Sequence, residues 1–256
     1  MTTRSKPTRS EAALGFRSHS GWAALVAVTG PVAEPAAVVR RRVELSRRTP
    51  RQPFHAAEGR PRAAAEDLIR RSTDEAADLA ERAVREAVAE LRARGHEPVA
   101  SGLLLAGGRP LPALADILAS HALIHAAEGE LFREVLRQAS RRCGLRLVEV
   151  RDRELEDRAA RSLRRSDTEL QRRVADWGKA LGSPWTQDEK RAALVAWLAL
   201  GRERTKAGSQ SLAARLLWRG DPRGRGRGSP LSSRTSSASS CRSARTSLRA
   251  APPTTW

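Results

Sequence analysis

Between Pro61 and Val150 the chain reads as helix, strand, helix, strand, and that order restricts the fold more than any other feature. Pro61 can open the first helix, because its missing N–H is not needed at a helix start. Ile69, Ala76, Ala80, Ala83, Ala87 and Leu91 then fall on one face, with acids and arginines on the other. Gly95 is a left-handed stop. Val99–Ala106 is a continuous apolar run, as expected for a strand covered on both faces. Residues 113–142 have helical periodicity. A single helix of that span would be about 45 Å long at 1.5 Å per residue, so a break near Ser120 or Gly129 is expected. Gly144 ends it, and Leu145–Val150 is the next strand. Strands joined through a helix run parallel, with a right-handed crossover.

Upstream, Gly21–Gly30 is a second continuous apolar run. In Ala37–Ser46, Val39, Val43 and Leu45 alternate with Arg40, Arg42 and Glu44, a strand covered on one face. The short connection makes these two strands an antiparallel hairpin. A short third strand is expected near Gln52–His55. Downstream, Ser166 with Glu169 and Thr186 with Glu189 form capping-box patterns that open two more helices, one carrying Leu170, Val174 and Trp177, the other the apolar run Lys190–Leu200. Together these elements imply an α/β fold with a mixed sheet and helices on both faces. The expected domain covers residues 15–203. Residues 1–14 are polar and small and are expected to be disordered. Residues 204–256 form a basic Gly-Arg and Ser-Arg tail with too little apolar surface to fold alone.

The net charge of +18 comes from 47 Lys+Arg against 29 Asp+Glu. The N-terminal 17 residues carry +3 and residues 219–256 carry +7, which leaves about +8 in between. The folded part is therefore basic in its own right and suited to polyanions. An Arg-rich codon bias produces the same balance without any such partner. Tyr is absent and Phe occurs three times, which gives weak support for base-stacking platforms. Cys143 and Cys241 form neither a disulfide framework nor a zinc pattern, as befits a reducing cytoplasm. No apolar run is long enough for a membrane span, and no secretory signal is recognisable.

His121, His125 and Glu128 are the leading chemical candidates. Their spacings of four and three residues place them on one helix face, between the apolar stripe of Leu114, Ile117 and Leu118 and that of Phe132, Val135 and Ala139. Two imidazoles and a carboxylate on a core-facing stripe suit a metal site or a general acid–base pair. Core histidines bonded to backbone or to Glu128 are the plainer reading. A zinc-peptidase pattern is excluded, because Ala122 rather than Glu follows the first histidine. His19 and His55 flank strand ends, with Glu58 close by, and are loop candidates. Asp188 lies in a first helical turn, where an acid also favours the helix dipole. Gly107-Gly108-Arg109 follows a strand but lacks the full phosphate-loop pattern, and Ser18 and Ser20 beside His19 lack a nucleophile-elbow context.

The order of elements resembles the ribonuclease H-like superfamily, and more narrowly the bacterial Holliday-junction resolvases of the RuvC type. Gly21-Trp22-Ala23, the run Glu128-Gly129-Glu130-Leu131 through Cys143-Gly144 to Val150, and Pro184-Trp185-Thr186-Gln187-Asp188-Glu189-Lys190 carry the resemblance, which spans about residues 19–200. It implies a ribonuclease H-like sheet, nucleic acid as partner, and Mg²⁺ or Mn²⁺ held by acids from the first strand, the fourth strand and the last helix; a homodimer is compatible with the sequence, which does not fix the oligomeric state. The resemblance also places His19 close to Asp188. Here only Asp188 stands at such a position, and Arg191 occupies the place of the acid one turn later. Two readings follow. In one, the chain acts on structured nucleic acid by metal-assisted phosphodiester hydrolysis, with His121, His125, Glu128 and Asp188 as catalytic residues and His125, Glu128 and Asp188 holding the metal. In the other, it is a noncatalytic nucleic-acid-binding or assembly protein that has lost the metal site. An unrelated metal-dependent enzyme on small substrates is the third alternative.

Overall fold

The computed structural model describes residues 9–107 and 110–201. Expectations for residues 1–8, Gly108, Arg109 and 202–256 lie outside the described residues. The described chain holds a five-stranded sheet in the order β3-β2-β1-β4-β5. These strands are β1 Ser10–His19, β2 Trp22–Thr29, β3 Ala36–Glu44, β4 His96–Leu105 and β5 Arg146–Arg151. β1, β2 and β3 form an antiparallel meander, while β4 pairs parallel with β1 and β5 pairs parallel with β4. This is the mixed sheet of an α/β fold expected above.

Seven α-helices accompany the sheet among the described residues: α1 Pro53–Ala57, α2 Arg62–Ala93, α3 Leu114–Leu118, α4 His121–Arg142, α5 Leu155–Leu163, α6 Asp167–Leu181 and α7, residues 187–201. The long helical stretch breaks at Ser120, one of the two expected places.

Period-two alternation assigns the two sheet faces. Ala12, Leu14 and Phe16 of β1 face one core with α2 and α4, whereas Ala13 faces the other with α5, α6 and α7. The second face is lined by small residues where α7 crosses it. Gly15 and Gly102 are direct register partners on β1 and β4. A Cβ on Gly15 would lie 1.9 Å from the Ala192 carbonyl oxygen, and one on Gly102 would lie 2.5 Å from that of Val195. Two adjacent glycines thus let the backbone of α7 rest directly on the sheet. Trp197, fully buried on α7, satisfies its indole N–H by donating to the Val32 carbonyl at 3.1 Å.

Two expectations are corrected. Residues 10–14, expected to be disordered, begin the central strand. Its apolar run is short and Ala/Gly-rich because α7 packs so closely, so β1 carries little of the β-branched signature that marks an interior strand. The segment 52–55, expected as a strand, enters helix α1 instead, with Pro53 in its first turn.

Candidate nucleic-acid interface and histidine cluster

β1, β4 and β5 run parallel, so their C-terminal ends meet on one edge of the sheet, the usual place for a site in an open α/β fold. A cavity of about 690 Å³ opens there, lined by Arg17 at the end of β1, Leu105, Ala106 and Gly107 after β4, Arg151, Asp152 and Arg153 after β5, and Gln187 and Arg191 of α7. Arg17 follows Ala13 and Gly15 on the α7 face. The Thr186–Glu189 capping box fixes the start of α7: Thr186 N–H donates to Glu189 Oε2 at 2.7 Å, and Thr186 Oγ1 donates to the same oxygen at 2.6 Å. That places Asp188 and Arg191 beside the strand ends.

The polar groups form one connected network. Arg17 Nε lies 2.9 Å from Asp188 Oδ1, and its Nη1 lies 3.7 Å from Asp152 Oδ2. Arg191 donates from Nε to Asp152 Oδ1 at 2.6 Å and from Nη1 to Glu156 Oε1 at 2.6 Å, and also bonds the Asp152 carbonyl. His19 Nε2 donates to Asp188 Oδ1 at 2.9 Å, so His19 and Asp188 are neighbours as the resolvase-like layout implies. The His19 ring stacks on Trp22 at 4.4 Å, and the Arg42 guanidinium carbon lies 3.7 Å from the Trp22 ring centroid. Arg17 and Arg191 are largely covered. Arg151 and Arg153 reach outward, with side chains 50% and 79% exposed, and among the described residues each forms an ion pair with Glu154.

The paired divalent metals expected from the sequence resemblance do not fit this edge. Arg17, not an acid, lines the cavity at the end of β1, and the chain leaving β4 is Leu105-Ala106-Gly107. Asp152 and Asp188 are already held by guanidinium groups. A cation entering here would have to displace Arg17 and Arg191 from the carboxylates of Asp152, Asp188 and Glu156.

Asp188 joins neither His125 nor Glu128, so the expected four-residue set separates into two places. His121 and His125 are exposed, not core-facing. The buried stripe of α4 runs through Ile124, Ala127, Glu128, Leu131 and Val135, which leaves the two histidines on its rim. They nevertheless converge: their Nε2 atoms are 3.1 Å apart, and His55 of α1 completes a trio with ring nitrogens all within 4.8 Å of one another. Glu128 lies beneath, 1% exposed. Its Oε1 accepts from the Phe54 N–H at 2.8 Å, the His55 N–H at 3.1 Å and His55 Nδ1 at 3.3 Å. Burial pushes its carboxyl above the usual range, against the hydrogen bonds from His55 and Phe54 that favour the charged form. Its Oε2 is buried without a hydrogen-bond partner among the described residues. Glu58, at the end of α1, is exposed and stands outside this cluster.

Sequence reasoning passed over Arg17, Arg151, Asp152 and Arg153. Arg17 carried a faint signal, a guanidinium at the end of the Ala-Gly-rich stretch that becomes β1. Arg151, Asp152 and Arg153 carried another, as charged residues directly after a strand in a parallel unit. Among the described residues no helix is long and apolar enough to cross a membrane.

No protein-family model matches the sequence, and no curated protein matches it. Among solved structures, two of RuvC from Thermus thermophilus are similar, one of them in complex with a Holliday junction substrate. Each is 12% identical, with a TM-score of 0.48, and the likeness covers 76% of this chain and 96% of that one. The chain itself has an α/β fold built on a mixed five-stranded sheet with helices on both faces.

Proposed function

We propose that this protein binds the phosphate backbone of structured nucleic acid at the strand-end cavity without hydrolysing it. The observation that carries this reading is the cavity lining: Arg17, Arg151, Arg153 and Arg191 against Asp152 alone. Arg17 and Arg191, pinned by Asp152, Asp188 and Glu156, form a rigid floor. Arg151 and Arg153 keep much of their donor fork turned to solvent, and such forks match phosphate oxygens bidentately. The same ion pairs occupy the carboxylates that metal-assisted hydrolysis would need, which favours binding over cleavage. The excess of basic residues adds attraction for a polyanion that does not depend on sequence.

The test is the salt dependence of binding by the full chain to a labelled four-way junction and a labelled duplex. Replacing Arg151 and Arg153 with Ala removes two phosphate contacts. The slope of log K against log salt then falls by about 0.9 per contact on duplex DNA. An unchanged slope would remove the cavity from the interface. Cleavage of the junction in Mg²⁺ or Mn²⁺, lost in Asp188→Ala, would replace binding with catalysis.

A further inference from the structure

The histidine cluster lies on the other face of the sheet, and the proposed nucleic-acid interface makes no use of it. The chain has five histidines. His19 is engaged by Asp188, and His96 Nδ1 bonds Ser10 Oγ at 2.6 Å and Thr29 Oγ1 at 3.0 Å. The other three meet at one point, although His55 is more than 60 residues from His121 in sequence. We propose that His55, His121 and His125 form a binding site for a divalent transition metal, with zinc the best match, whose fourth position faces solvent.

Four features support this assignment. His121 and His125 are one helical turn apart on α4, the spacing that presents two imidazoles to one ion. A tetrahedral ion with bonds of about 2.1 Å needs ligand nitrogens about 3.4 Å apart. The observed Nε2 separation of 3.1 Å and the outer limit of 4.8 Å for the trio bracket that spacing, so small side-chain rotations suffice. Glu128 supplies the outer shell that metal-bound imidazoles commonly have. By accepting from His55 Nδ1–H it fixes the tautomer and leaves the Nε2 lone pair to point at an ion. Its other oxygen, Oε2, is buried without a hydrogen-bond partner among the described residues, a polar atom that the packing around it leaves unsatisfied. The ligand type selects the metal: neutral imidazoles suit zinc, copper or nickel, whereas magnesium and calcium prefer oxygen. Three protein ligands, two of them exposed, leave room for a water at the fourth position, the arrangement of open rather than purely structural zinc sites. An ion here would also tie α1 to α4.

The test uses the untagged full chain after dialysis against chelator. Zinc affinity is measured by competition with a chromophoric chelator, and geometry by the visible spectrum of added Co²⁺. The expected result is one equivalent of zinc per chain and the intense absorption of tetrahedral cobalt. His125→Ala, an exposed substitution that leaves the fold intact, should abolish that absorption and weaken zinc by more than tenfold. Glu128→Gln keeps all three ligands and acts only through His55, so it should weaken zinc about 10–100-fold while the cobalt spectrum stays tetrahedral. The proposal is overturned if wild type binds zinc no better than the His121→Ala/His125→Ala double variant. It is equally overturned if bound Co²⁺ shows the weak spectrum of the hexaaqua ion.

Discussion

Replacing Gly15 with Ala should lower stability more than one methyl group suggests. The new Cβ would lie 1.9 Å from the Ala192 carbonyl oxygen and 2.8 Å from both the backbone nitrogen and the Cβ of Ala196. Two of these are backbone atoms, so no rotamer change can relieve the clash. The carbonyl must retreat by about 1.1 Å before the contact reaches even 3.0 Å. Ala192, Ala193, Val195, Ala196, Trp197 and Leu198 are all fully buried, so α7 cannot bend away locally and has to lift from the sheet. Overpacking of this kind costs about 1–3 kcal/mol, and here the upper end applies. For a domain of this size the upper end corresponds to a fall in Tm of about 6–12 °C. Thermal and urea unfolding followed by circular dichroism measure it, with Gly107→Ala as control. Gly107 has open space around its Cβ position, so that variant should stay within about 0.5 kcal/mol of wild type. If Gly15→Ala matches the control, α7 does not rest on the sheet backbone, and the placement of Asp188 and Arg191 described above is wrong.

Glu75 gives a pH prediction. Burial pushes its carboxyl up, but hydrogen bonds from Thr49 Oγ1 and from the Arg48 and Thr49 N–H groups outweigh this and hold it at about 2 rather than 4.5. A depressed carboxyl contributes stability that is fully present above the unfolded value and is lost as pH falls from 4.5 towards 2. Urea midpoints measured across that window should therefore fall more steeply in wild type than in Glu75→Gln, and parallel curves would contradict this. Ser166→Ala removes an N-cap oxygen that accepts from the Glu169 N–H, and chemical denaturation should show a loss of about 1 kcal/mol. A Cβ on Gly178 would sit 2.2 Å from the Trp185 ring. Gly178→Ala should therefore break the bond from Trp185 Nε1 to the Val174 carbonyl and shift Trp fluorescence, whereas an unchanged spectrum would mean the ring is not held there.

Several elements were legible because local chemistry alone decides them. Pro61 and Gly95 bracket α2, and Ser166 with Glu169 and Thr186 with Glu189 open α6 and α7. β2 to β5 follow from apolar runs between turn residues. β1 was missed because its composition answers to a helix that lies more than 170 residues later. Ala13 and Gly15 are small so that α7 can approach, and that demand leaves no strand-like pattern. The histidine set was half legible. Spacing brought His121, His125 and Glu128 together, but the direction of α4 depends on which flank packs, and the rim position of the histidines is a tertiary outcome. His55 reaches them through α1, whose place no local signal reports. The arginine-lined cavity arises where three parallel strands end. Its members are scattered from Arg17 to Arg191, so only topology assembles them.

On the function proposed above, a polyanion is held at the strand ends and not by net charge alone. The most direct measurement compares two full-length charge reversals of equal size, Arg151→Glu/Arg153→Glu at the cavity and Arg62→Glu/Arg70→Glu on the exposed face of α2, for binding of a four-way junction at fixed salt. The cavity pair should lose at least tenfold more affinity than the α2 pair. Equal losses would mean that the chain attracts nucleic acid only as a basic surface, and the strand-end site would have to be abandoned.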